Sequence, residues 1–404
     1  MTHTAKRTML HRDERGFSLV TIGLSLMALF GATMLAIDVG MLMWARTQAQ
    51  VSADAGALSG ATALAFNSFT NRTPTGPAVT SALSTAQGNQ VQGQAPSVIP
   101  ADVTFPTDPV SGLNNQVQVM VHRTTARSNP LPTFIATFFG MATADVTAVA
   151  TAATYPADAA TCVLPFTIPD KWQEHTRCGA GTCTWQPTDT YEILTPQGNH
   201  TNVGPGPMAY PDVYVPPGDA GNPTTGYDPV RDKGVRLVLK QAVGDTIAPS
   251  FFNPIAIPTG TGADYYRENI MGCNTTILRS GTLLTPEPGA MTGPTQQGLQ
   301  GLVDLDPGAY WEDLPGCNCI KGSNRPGMSP RVRPLPLFNP ERYARTGDGG
   351  RSQPTLELIN YLGFFVERMQ GNEVIGRIHP INGVLTNPTN PYEGGFAQAI
   401  MLVK

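Results

Sequence analysis

The amino-acid sequence predicts an α+β protein: a long N-terminal transmembrane helix runs into a small α/β unit, and a β-rich, loop-rich extracytoplasmic domain follows. Three observations predict it. An uncharged apolar run from Phe17 to Ile37 leads into helix-favouring, proline-free sequence between Gly40 and Phe66. Two segments, Gln116 to Thr124 and Ala144 to Ala153, alternate apolar and polar residues with the period of two that a half-buried strand requires. Gly and Pro, 42 and 37 of the 404 residues, punctuate nearly every segment beyond residue 156 and leave only short apolar runs.

At 1.5 Å per residue the run from Phe17 to Ile37 reaches about 30 Å as a helix, the thickness of a bilayer's hydrocarbon core. Its Gly23, Gly31, Ser25 and Thr33 are tolerated in membrane helices. Lys6, Arg7, Arg12 and Arg15 precede the run and only Arg46 lies close behind it. The positive-inside rule therefore keeps residues 1–15 as a cytoplasmic tail and sends everything after Asp38 outward, into the periplasm or onto the cell surface, from a bacterial inner membrane. A cleaved secretory signal would be shorter and would end at an A-x-A-like site, and the charge asymmetry argues against a buried soluble helix. Membrane lipid is thus the expected partner of residues 17–37.

The helix is expected to continue to residue 66. Small residues recur four apart beyond the membrane, as Ala49, Ala53, Ala57 and Ala61 and as Ser52, Gly56 and Gly60. Such a stripe lets a second backbone approach closely. Two packings would use it: the protein's own sheet, or helices of neighbouring subunits.

Residues 67–155 form the small α/β unit. A Thr/Pro/Gly/Asn-rich break from Asn67 to Ala78 precedes a short helix at Val79 to Ala86. The strand Gln116 to Thr124 buries Val117, Val119 and Val121, a short helix opened by Pro runs from Pro132 to Phe139, and a strand from Ala144 to Ala153 carries Val146, Ala148 and Ala150 on one side. The β-rich domain spans 156–404. Its apolar runs are Gly234 to Lys240, Thr355 to Met369, Val374 to Ile378 and Phe396 to Val403. Asp264 to Met271 is its best helix, stopped by Gly272, and Arg342 to Ser352 reads as an exposed loop.

The N-terminal residues resemble the TadG-like (TadE/TadG) branch of the tight-adherence, or Flp, pilus-assembly family. Arg15-Gly16-Phe17, the apolar run, Asp38-Val39-Gly40 and the segment Gln48 to Ala61, with Asp54 at its centre, carry the resemblance over roughly the first 65 residues. Three further stretches resemble the outer portions of such proteins: Cys162 to Asp170, Met291 to Thr295 and Asn360 to Glu367. The resemblance implies a membrane-anchored component of a type IV-like pilus whose partners are other pilin or pilus-assembly subunits, and it makes residues 67–155 a pilin-like unit. Gly16-Phe17 is similar to a prepilin-peptidase junction, but Thr21 stands where a pilin carries Glu. Thr cannot pair with a freed N-terminal ammonium inside the bilayer, so either cleavage does not occur, which is the expectation, or the subunit enters a filament at a special position. The Asp-x-Ser-x-Ser loop of the family's adhesion modules is absent from the sequence.

All six cysteines, Cys162, Cys178, Cys183, Cys273, Cys317 and Cys319, follow the membrane run and are disulfide candidates in an oxidising compartment. Cys178 and Cys183 are close enough to close a local loop, and Cys317 and Cys319 are expected to reach different partners, since an i, i+2 bridge is strained. The competing reading is zinc held by His175, Cys178, Cys317 and Cys319, but this is not a standard ligand spacing. For catalysis there is no Gly-x-Ser-x-Gly, HExxH or phosphate-binding loop, and His122, His200 and His379 sit in no nucleophile motif. Asp304, Asp306, Glu312 and Asp313 surround Tyr310-Trp311. They invite a calcium or paired-carboxylate reading, against the plainer one of a solvated loop.

No cofactor, metal or catalytic set is therefore expected, and the net charge of -4 disfavours nucleic acid. The expected function is a minor-pilin-like structural or assembly component, not an enzyme. The alternative is a surface adhesin or glycan-binding module on a pilin-like anchor.

Overall fold

A computed structural model describes residues 15–109, 112–177, 183–193, 210–217, 225–244, 246–258, 260–314, 317–325, 328–347, 355–386 and 395–403. The tail up to residue 14, Cys178, His200 and residues 348–352 of the expected loop lie outside them.

Helix α1 runs unbroken from Arg15 to Phe66, 52 residues and about 78 Å long. Every side chain from 18 to 37 is exposed, and this part is long and apolar enough to cross a membrane. Its hydroxyls are paired within the helix: Ser25 donates to the Thr21 carbonyl at 2.8 Å and Thr33 to those of Leu29 and Phe30. That pairing suits a segment with no water to bond.

Burial begins at Asp38, and from Ala45 onward one face of α1 enters a core. Helix α2, Pro77–Gly88, starts on a proline that needs no N–H partner there. Strands β1 (Val103–Thr104), β2 (Gln116–Arg123) and β3 (Val146–Pro156) form an antiparallel sheet in which Gln116 faces Ala153 and Arg123 faces Val146. Val117, Val119 and Val121 of β2 and Ala148, Ala150 and Ala152 of β3 turn to the alanine stripe of α1, while α2 packs beside them.

The helix expected over 132–139 is instead a hairpin tip. Leu131–Pro132 pairs with Thr143–Ala144, and only Ala136–Phe139 forms a 3-10 turn, stopped by Gly140 at φ 82°. Strand pairing takes Pro132, and the N–H groups of residues 134–136 turn to the Asp38 carboxylate, so the first half of the stretch is not helical.

The second core is a closed six-stranded barrel. Its strands are β4 (Phe166–Pro169), β5 (Arg236–Gln241), β6 (Phe251–Ala256), β8 (Val332–Phe338), β9 (Leu356–Gln370) and β10 (Glu373–His379), while β7 (Leu283–Pro286) bridges β6 and β9. Around the ring the order is β9, β8, β4, β6, β5, β10 and back to β9; the β8–β4 and β5–β6 pairs are parallel and the rest antiparallel. Phe166, Phe252, Leu337, Tyr361 and Phe364 are buried in its core. Helices α3 (Ala263–Met271) and α4 (Thr292–Asp304) pack so closely that a methyl at Gly298 would stand 2.8 Å from the Ile270 Cβ. The expected loop from Arg342 is in part a helix, α5 (Pro340–Gly347). Asn339 opens it by accepting the Arg342 N–H at 3.0 Å.

Strand β11, Gln398–Val403, leaves the barrel and joins the first sheet, with Gln398 opposite Pro156 and Val403 opposite Thr151. The buried amide of Asn360 in β9 guides this exit, its oxygen accepting the Phe396 N–H at 3.0 Å.

Cys162 and Cys273 are bonded, with Cα atoms 4.3 Å apart, tying the barrel's entrance to the end of α3. The expectation that Cys317 and Cys319 reach different partners is overturned: they bond to each other across a Cα separation of 5.0 Å. Asn318 between them adopts a left-handed conformation, φ 44°. Its side chain is fixed from both sides, accepting from the Trp311 indole at 3.1 Å and donating to the Lys233 carbonyl at 3.0 Å. Cys183 is also disulfide-bonded.

Candidate functional site at the end of the apolar run

The residues singled out for function fall along one stretch of α1, from Asp38 to Ala61. Asp38 directly follows the apolar run and is buried. Its carboxylate accepts three backbone N–H groups from the hairpin tip: Phe134 at 3.0 Å, Ile135 at 2.9 Å and Ala136 at 2.8 Å. These groups open the 3-10 turn and have no partner within it. The N–H groups of Ala136 and Phe134, foremost, hold the carboxyl below the ordinary range against the opposing effect of burial, so it is ionised at neutral pH.

The base of the same hairpin is fixed by Arg123, the buried last residue of β2. Its guanidinium donates to the carbonyls of Asn129 at 3.0 Å, Pro130 at 3.3 Å and Val91, and to the Gln94 side chain at 3.3 Å. Four acceptors replace the hydration that burial removes. The loop at Val91 to Gln94 in turn holds α1: the Gln92 N–H donates to Gln48 at 2.8 Å, and the Gln92 side chain donates to the Met41 carbonyl at 3.1 Å. Two loops thus grip the helix within three turns of Asp38, where its burial begins.

Farther along, the stripe is covered by the protein's own chain. Ala49, Ala53, Ala57 and Ala61 are buried, and Ser52 donates to the Ala86 carbonyl at 2.7 Å. A methyl at Gly56 would lie 2.9 Å from the Ala86 Cβ, and one at Gly60 would lie 2.8 Å from Val117 and 3.1 Å from Ala82. At these two positions α2 and the sheet approach the helix backbone so closely that no side chain fits. Asp54 sits at the sheet's edge, where Gln50 donates both to its carboxylate at 2.7 Å and to the Val149 carbonyl at 3.2 Å. A methyl at Gly40 would meet open space. Gly16 and Phe17 belong to the first turn of α1. On the outer side of the helix Val39, Met43, Trp44 and Val51 remain exposed.

Sequence reasoning picked out Asp38 but not its partners. The hairpin tip was detectable as the one stretch between Arg127 and Asp145 that holds no charge while carrying Phe134, Ile135, Phe138, Phe139 and Met141. Arg123 and Gln92 left no such trace.

The acidic cluster divides, with Asp304 and Asp313 exposed, Glu312 half-buried and Asp306 buried. Asp306 is buried and accepts from Ser329 at 2.6 Å and Ser323 at 2.7 Å; Asp313 pairs with Arg377 at 2.7 Å, and Asp304 accepts from Gln300 at 2.9 Å. Trp311 packs against Phe365 and His379, which leaves Tyr310 as the exposed ring of that pair. His379 bonds the Pro380 carbonyl at 2.6 Å, and His122 lies 3.4 Å from Asp102. The outer stretches 162–170, 291–295 and 360–367 supply barrel-core residues, among them Phe166, Ile168, Met291 and Tyr361.

No curated protein and no solved structure matches the chain. Residues 16–63 match the model of a family described as putative Flp pilus-assembly TadE/G-like, so the chain carries a TadE/G-like segment reaching from the membrane-capable part of α1 to the end of its buried stripe.

Proposed function

We propose that the protein is a membrane-anchored, minor-pilin-like structural subunit of a Tad/Flp type IV-like pilus, with its N-terminus cytoplasmic and both cores in the periplasm or at the cell surface. One observation carries the reading. The family-matched helix is continuous, exposed and apolar over its first half and built into a folded core over its second. Force or position at the membrane is therefore transmitted to the outer domains through a single rigid element. The basic residues ahead of the run and the disulfides beyond it support the orientation.

The small-residue stripe works within the chain, seating α2 and the sheet on the anchor. Contacts with pilin or assembly subunits then fall to the outer side of α1, around Val39, Met43, Trp44 and Val51. Gly16-Phe17 remains uncleaved.

The test is a chromosomal deletion complemented by the wild-type chain, with surface filaments counted and surface attachment measured. Filaments and attachment are lost on deletion and restored on complementation; unchanged filaments in the deletion strain would refute the proposal. N-terminal sequencing of the protein from membranes is expected to begin upstream of Phe17. A reporter fused after Arg46 is expected to be active only outside the cytoplasm.

A further inference from the structure

We infer that the hairpin 131–144 is a second membrane contact: a foot whose apolar tip sits in the headgroup–acyl boundary beside the exit of α1. The inference rests on the reading that residues 17–37 span the bilayer. Asp38 lies one residue, about 1.5 Å of helix, beyond that span. Its hydrogen bonds of 2.8 to 3.0 Å to residues 134–136 fix the tip's backbone at the same height. Each headgroup layer is several ångströms deep, so the tip lies within it or at its inner edge.

The tip is built for that position. Phe134 and Met141 are 60% and 61% exposed, although both are large and apolar. They are brought together because the Met141 N–H returns to the Ala136 carbonyl at 2.9 Å and the Thr133 side chain donates to the Met141 carbonyl at 2.5 Å. No charged residue occurs between Arg127 and Asp145, so nothing in the tip resists partial entry into the acyl boundary. The occupant of this apolar patch is lipid because the patch is continuous with the lipid-facing surface of the helix that Asp38 joins to it. A foot beside a single helix restricts the tilt and rotation that one helix alone leaves free.

The experiment uses the full chain in phosphatidylethanolamine–phosphatidylglycerol vesicles with no other protein. Single cysteines are placed by Phe134→Cys and Met141→Cys, with Leu29→Cys in the span and Val243→Cys, at an 86% exposed position in the loop after β5, as references. Each is spin-labelled, and its collisions with oxygen and with a water-soluble nickel chelate are measured. Labels at 134 and 141 are expected to favour oxygen over nickel several-fold relative to 243, approaching 29. If 29 reads lipid while 134 and 141 read like 243, the foot is refuted and the anchor stands. If 29 also reads water, the anchor reading falls with it. Shielding of 134 and 141 from both reagents means that protein covers the tip, and this too refutes a lipid contact.

Discussion

Adding one methyl group to α1 should have opposite effects at two levels of the helix. At Gly56 and Gly60 an added Cβ meets carbon atoms at 2.9 and 2.8 Å, well inside the 3.5 to 4.0 Å at which carbons attract. Helix α2 or strand β2 must retreat by roughly half an ångström or more, and overpacking of this kind costs about 1–3 kcal/mol per site. Replacing Gly by Ala in a helix returns about 1 kcal/mol of propensity. The net for Gly56→Ala with Gly60→Ala is then about 2 kcal/mol of destabilisation, taking the middle of the overpacking range at each site. At Gly40 the added methyl has nothing within 4 Å, so only the propensity gain remains, about 1 kcal/mol. Amide hydrogen exchange of the full chain in detergent, followed over the α2 peptides, reads the local opening energy. The double variant should speed exchange of residues 77–88 about 30-fold, whereas Gly40→Ala should slow exchange in α1 about fivefold. Equal or slower α2 exchange in the double variant would refute the close seating of α2 on the stripe.

Other perturbations separate the remaining devices. Asp38→Ala should remove protection from the amides of 134–136 and leave α1 protected, as hydrogen exchange would show; retained protection there would mean that the carboxylate does not hold the hairpin. Replacing Cys162 and Cys273 together by Ala reopens a span of 111 residues, which should lower barrel stability by about 4–5 kcal/mol in urea unfolding, with a change below about 1 counting against the bridge. Asp170 is wholly buried, accepts from Tyr214 at 3.0 Å and Tyr227 at 3.1 Å, and has its pKa pushed up from 3.8 to about 6, chiefly by desolvation. Its native form binds its proton more tightly than the unfolded chain does, so stability falls as pH rises from about 4 to 6, by about 3 kcal/mol from this group. Asp170→Asn should flatten that part of the urea-midpoint profile, and an unchanged slope would assign it elsewhere.

What was legible in the sequence was whatever depends on neighbours along the chain. The apolar run and the proline-free stretch after it marked α1, and the valine alternation marked β2, because burial periodicity is local. Barrel closure was not legible: β4 and β8 pair in parallel across more than 160 residues, and no periodicity encodes such a partner. The Cys317–Cys319 bridge depends on the left-handed state of Asn318, which Trp311 and Lys233 impose from outside. For α5 the signal was present and outweighed. Asn339 followed by Pro340 is a helix start, and Glu341 and Arg345 form the i, i+4 pair that supports one, but the glycines after residue 346 made the stretch read as loop. At the site, Asp38 stood out only through resemblance, since its partners lie 96 to 98 residues away.

The return of β11 to the first sheet has a consequence for biogenesis. In the proposed orientation, until Gln398 to Val403 have crossed the membrane, β3 presents an unpaired edge after the rest of its sheet has emerged. In that orientation the first sheet is complete only when the barrel between its parts has been exported. Any cut that removes β11 leaves an open edge on β3, available to a strand of another chain.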